Sequence, residues 1–133
     1  MPVSQRPVPG RPIWLALGIL PIALITWVCL VPQLPSGTPH FWDKAEHALA
    51  FAGLGFWFRA AGFSPLAIFS SGLSYGILIE VLQALGGVRT GEWQDVLGDA
   101  VGLVGGELLV RTPLGACCRM LGERWKLPLK NAA

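Results

Sequence analysis

The sequence predicts an all-α integral membrane protein, a compact bundle of four transmembrane helices with both termini cytoplasmic. Three observations predict it. Only 14% of the 133 residues are charged and 53% are hydrophobic, with a mean hydropathy of +0.55, whereas a soluble domain carries roughly a quarter charged residues. Four apolar stretches, each near the ~20 residues that cross a hydrocarbon core, are separated by proline, glycine and polar punctuation. The ionisable residues in or beside these stretches gather at one end of the predicted bundle. The net charge of +2 comes without the clustered basic face that nucleic acid requires, which excludes that class of partner.

Residues 1–12 hold four prolines and two arginines, a composition for a short disordered cytoplasmic tail. Helix 1 is predicted from Ile13 to Val31, with Pro21 a place where it can kink. Arg6 and Arg11 ahead of an apolar run resemble a signal peptide. The uncharged stretch from Pro12 to Trp42 is longer than a signal core of about 7 to 15 residues, and no A-x-A site follows. A retained first span is therefore expected.

The loop VPQLPSGTPHFW ends in Phe41 and Trp42, aromatics suited to a membrane interface. Helix 2 is predicted from Asp43 to Gly62. Ser64 and Pro65 supply an N-cap and a first-turn proline for helix 3, Pro65 to Leu85. After the polar loop GGVRTGEWQ, helix 4 is predicted from Asp95 to Leu114. Gly98, Gly102 and Gly106 on helix 4, and Gly72 and Gly76 on helix 3, recur every fourth residue, letting neighbouring helices approach closely where lipid supplies no hydrophobic drive. The membrane domain thus covers 13–114, followed by a basic cytoplasmic tail over 115–133. Cys29, Cys117 and Cys118 are too few and too oddly placed for a disulfide framework and read as structural.

Lysine and arginine set the orientation. Arg6 and Arg11, Arg59, and Arg111, Arg119, Arg124, Lys126 and Lys130 fall on one side, against Lys44 and Arg89 on the other. The positive-inside rule then turns the loops between helices 1 and 2 and between helices 3 and 4 outward.

The outward ends carry the chemistry. Asp43 and His47 are four apart, Glu80 and Gln83 three apart, and Asp95 and Asp99 four apart, so each pair shares one helix face. Together with Lys44 and Arg89 they form a predicted polar cluster. Glu80 follows the apolar run SYGILI, and an intramembrane carboxylate ordinarily faces the bundle interior with a partner. The plainer reading assigns Asp43, Glu46 and Asp95 to helix capping and the dipole, His47 to an ordinary structural role, and Glu107 with Arg111 to an ordinary helix pair.

The string DKAEH at Asp43 to His47, with F-x-x-L-G at Phe51 to Gly55, resembles the D-K-x-x-H segment of the VanZ-like family. E-V-L-Q at Glu80 to Gln83, then Arg89, Asp95 and Gly102, is similar to that family's E-x-x-Q, R and D-x-x-x-N-x-x-G blocks, so the resemblance spans about residues 40–106. Asp99 departs from it, since the family pattern has asparagine there. The resemblance implies a small multi-pass protein of the bacterial cytoplasmic membrane, in a family named for teicoplanin resistance, without implying a defined reaction.

Two functions fit these residues. In the first, an outward polar pocket binds an anionic membrane lipid, a cell-wall precursor or a lipoglycopeptide through Lys44 and Arg89, contributing to glycopeptide tolerance. In the second, an intramembrane enzyme modifies a phospholipid or polyprenyl-phosphate-linked substrate, with His47 or Glu80 as general base. No cofactor is expected, since the spacing matches no established metal signature. His47 with Glu46, Glu80, Asp95 or Asp99 nonetheless offers donors for a divalent ion. A third reading makes the polar residues a lock between helices.

Overall fold

The computed structural model describes residues 11–31, 40–87 and 92–124, with side chains from residue 44 onward in the second helix and up to residue 120 in the last. The described residues form α1 (Arg11–Leu30), α2 (His40–Ala60), α3 (Pro65–Gly86), α4 (Trp93–Val110) and α5 (Pro113–Arg124). The tail over residues 1–10 and the loop over 32–39 lie outside them.

Helices α1 and α3 have 20 and 22 residues and are long and apolar enough to cross a membrane. Helices α4 and α5 meet that standard only as a pair, bent by 73°. Large apolar side chains point outward on α1 (Ile19, Leu20, Leu24, Trp27), on α3 (Leu66, Ile77, Leu78, Leu85) and on α4 (Val101, Val104, Leu108). Soluble monomers rarely expose apolar surface on this scale.

Helix α2 carries Asp43, Lys44, Glu46 and Arg59 and does not qualify as a span by composition. It is nonetheless the central element, touching α1, α3, α4 and α5, with Phe51, Leu54 and Ala60 buried.

The glycine stripe of α4 packs on α2. A Cβ at Gly102 would overlap the Ala48 carbonyl, and one at Gly106 would overlap Ala52 O and Phe56 N. Gly72 and Gly76 of α3 receive side chains of α4 instead, Leu103 and Asp99 respectively. Two apolar clusters complete the packing: Phe51, Ile68 and Leu103 in one, and Trp14, Ala60, Ala61 and Val110 in the other. Trp57 Nε1 donates to Trp14 O at 3.0 Å, tying α2 to α1.

Ser64 caps α3 as predicted, its Oγ accepting the Ala67 N–H at 3.2 Å with Pro65 in the first turn. Gly87 ends that helix at φ 62°, where a side chain would be strained. Two boundaries differ from the sequence reading. Helix α2 starts at His40 rather than Asp43, because nothing between Pro39 and Asp43 breaks a helix. Helix α4 starts at Trp93 and stops at Val110 rather than Leu114. Pro113 disfavours helical backbone at Thr112 and supplies no N–H, yet suits a first turn. The chain accordingly tightens through Arg111 N–Leu108 O and Thr112 N–Leu109 O bonds, both 3.1 Å, before α5 begins.

Candidate functional site

Four helix ends meet where α1 and α3 finish and α2 and α4 begin. The buried polar side chains there are Asp99, 0% exposed, Gln83, 2%, Asp95, 4%, His47, 5%, and Glu80, 9%. Each of these five belongs to the cluster predicted from helical spacing. Arg89 lies outside the described residues, as does the side chain of Asp43, so neither is placed.

His47 and Asp99 form the innermost pair, with Nδ1 and Oδ1 3.0 Å apart. A carboxylate oxygen accepts, so Nδ1 carries the proton and Nε2 keeps its lone pair or is protonated as well. Lys44, half-buried, donates to Glu92 Oε2 at 2.8 Å and to Asp95 Oδ1 at 3.4 Å. Glu80 Oε2 accepts the backbone N–H of Glu92 at 2.9 Å, so an α3 carboxylate fixes the residue that opens α4. Gln83 Nε2 donates to Cys29 O at 2.8 Å, closing the end of α1 onto α3.

Among the described residues of this cluster, three buried atoms lack a hydrogen bond, His47 Nε2, Glu80 Oε1 and Asp99 Oδ2, and the Cys29 side chain lies against the His47 ring. Asp99 Oδ2 sits against the Gly76 backbone, where only glycine leaves it room. His47, Glu80 and Asp95 each offer one donor atom, and these lie within 4.8 Å of one another. Glu46, a candidate partner of His47 in the sequence, is exposed and stands apart from this set.

Two contributors were missed by sequence reasoning. Glu92 was assigned to the loop, although its place three residues before Asp95 is a usable signal. The Cys29 carbonyl carries no side-chain signal at all.

A second network occupies the opposite end. Glu107 accepts from Arg59 Nε and from Arg111 Nη2, the latter at 3.0 Å. Arg59 Nη1 also donates to Phe63 O at 2.7 Å. The Glu107–Arg111 pair expected from the sequence therefore forms, with Arg59 added. Between the two ends, Leu15, Ile22, Phe58, Tyr75 and Leu103 line an apolar groove of about 550 Å³ among α1, α2, α3 and α4. Leu103 is one turn from Asp99, which brings the groove towards the polar cluster.

Comparison with protein-family models, curated proteins and solved structures gives no match.

Proposed function

We propose that this chain is an intramembrane enzyme of VanZ-like type, acting on the polar headgroup of a phospholipid or polyprenyl-phosphate-linked substrate. The observation that carries the proposal is the buried His47–Asp99 pair with Nε2 unpartnered, next to the unpartnered Oε1 of Glu80. A structural lock satisfies its buried polar atoms, because an unmet one in a low-dielectric interior is costly. Groups held ready for a reacting molecule leave such atoms open. With Nδ1 protonated against Asp99, Nε2 takes the proton of an attacking water or hydroxyl as its oxygen bonds phosphorus. The bond to the leaving oxygen then breaks, and that oxygen takes a proton back. The apolar groove beside Tyr75 and Leu103 suits an acyl or prenyl chain.

The finer topology belongs to the same proposal. Helices α1 to α4 make four spans of a bacterial cytoplasmic membrane, the termini and the Arg59–Glu107–Arg111 end face the cytoplasm, and the His47 end faces outward. Retention of an anionic lipid, cell-wall precursor or lipoglycopeptide by Lys44 and Arg89, with a part in teicoplanin-type tolerance, has less support. Lys44 is committed to Glu92 and Asp95.

The test uses the full chain in micelles containing a total lipid extract, with mass spectrometry following the lipids over time. Wild type should convert one phosphate-bearing lipid class, and His47→Gln should slow conversion by at least about 100-fold while staying folded. Lipids unchanged by wild type, or equally changed by His47→Gln, would exclude the reading.

A further inference from the structure

Among the described residues, Lys44 is the one ammonium beside the carboxylates Glu80, Glu92, Asp95 and Asp99, and Glu92 and Asp95 share it at 2.8 and 3.4 Å. Like charges buried together are strongly unfavourable, and a further positive charge among them relieves that cost. His47 is 5% exposed and Glu80 9%, and each keeps a free donor atom, Nε2 and Oε1. Their other donors are spoken for, His47 Nδ1 by Asp99 and Glu80 Oε2 by the Glu92 N–H. One donor atom from each of His47, Glu80 and Asp95 falls within 4.8 Å of the other two.

We propose that His47, Glu80 and Asp95 bind a single divalent cation of the zinc class, with Asp99 orienting His47 from behind. One imidazole and two carboxylates favour zinc over magnesium or calcium, which prefer all-oxygen shells. Three protein donors leave a fourth position open, the pattern of catalytic rather than structural zinc sites. Tetrahedral bonds of about 2.0–2.2 Å bring donor atoms to roughly 3.4 Å of each other, so the three side chains close in modestly on binding. Asp99 supplies the supporting carboxylate that a metal-bound histidine characteristically has on its other nitrogen. This gives a physical role to the residue that departs from the family's asparagine. Glu80 and Asp95 neutralise the dication, which leaves Lys44 to Glu92.

The proposal rests on the lipid-headgroup reading in one respect only: a cation at this place would let an acidic site receive a phosphate, and with Nε2 on the cation a water held there, not the imidazole, would give up the proton. Its test is independent of any lipid. Full-length protein in detergent, stripped with a chelator, is titrated with zinc chloride alone and its metal content measured. One zinc per chain is expected. His47→Gln, Glu80→Gln and Asp95→Asn should each weaken binding by more than about 100-fold, Asp99→Asn by about 10- to 100-fold, and exposed Glu46→Gln not at all. Zinc-edge absorption should show nitrogen and oxygen neighbours without sulfur, a readout on wild type that needs no variant to fold.

Absence of stoichiometric zinc, sulfur at the metal from Cys29, Cys117 or Cys118, or binding indifferent to His47→Gln and Glu80→Gln would each overturn the site. Zinc bound as described with lipids left unchanged would retain the site and remove the enzymatic reading. Lipid conversion without zinc would do the reverse.

Discussion

Replacing Gly76 with alanine probes the contact between α3 and the His47–Asp99 pair. A Cβ at residue 76 would occupy the place of Asp99 Oδ2, while Asp99 Cβ, at 3.4 Å, would remain an ordinary neighbour. The carboxylate must rotate, which breaks its bond to His47 Nδ1. Overpacking costs about 1–3 kcal/mol, and loss of a hydrogen bond to a charged group about 1.5–3 kcal/mol. The two overlap, since both are discharged by one rotation, so a destabilisation of roughly 3 kcal/mol is expected. In an Asp99→Ala background the obstructing oxygen is gone, and Gly76→Ala should cost less than about 0.5 kcal/mol, a coupling of about 2 kcal/mol or more. The assay is reversible denaturant unfolding of all four proteins in mixed lipid–detergent micelles. Equal penalties for Gly76→Ala in both backgrounds would refute the reasoning, because something other than Asp99 would then be meeting the new methyl.

Three further outcomes follow from the packing. Gly53 faces open space and Gly102 faces the Ala48 carbonyl, so Gly53→Ala should be neutral in unfolding and Gly102→Ala should lose about 1–3 kcal/mol. Glu107→Gln should cost on the order of 1 kcal/mol, reduced by added salt, because Arg59 and Arg111 both pair with it at a partly exposed position. Cys117 is exposed whereas Cys29 is buried, so with a cytoplasmic C-terminus an impermeant maleimide should label Cys117 only in permeabilised cells. Labelling in intact cells would reverse the proposed orientation.

The elements that were legible in the sequence are those whose signals are local. Ser64 with Pro65 marks the start of α3, the four-residue glycine intervals mark close approach, and the spacings among His47, Glu80, Gln83, Asp95 and Asp99 place them on converging faces. Which helix receives which stripe was not legible, because small residues announce a neighbour without naming it. The composition of α2 does not reveal its central place for a related reason: contact with α1, α3, α4 and α5 is a tertiary property. The Thr112–Pro113 break was visible as a residue pair but was outweighed by the apolar run continuing through Leu114. Glu92, placed with Arg89 in the outer loop, was left out of the cluster because a loop carboxylate gains significance only when Lys44 and Glu80 arrive from other helices.

Thermal unfolding of wild type beside His47→Gln and Glu80→Gln in one detergent tests most directly whether the cluster is held for chemistry. Both variants remove a titrating group whose second donor atom has no hydrogen bond, and His47→Gln also gives up the Nδ1 bond to Asp99. For metal-free protein a functional site predicts a midpoint unchanged or raised in Glu80→Gln, whose amide oxygen still accepts the Glu92 N–H, and in His47→Gln a drop no larger than the lost bond to Asp99 explains. A large drop in both midpoints would contradict the account and leave the buried polar residues as the mortar between helices.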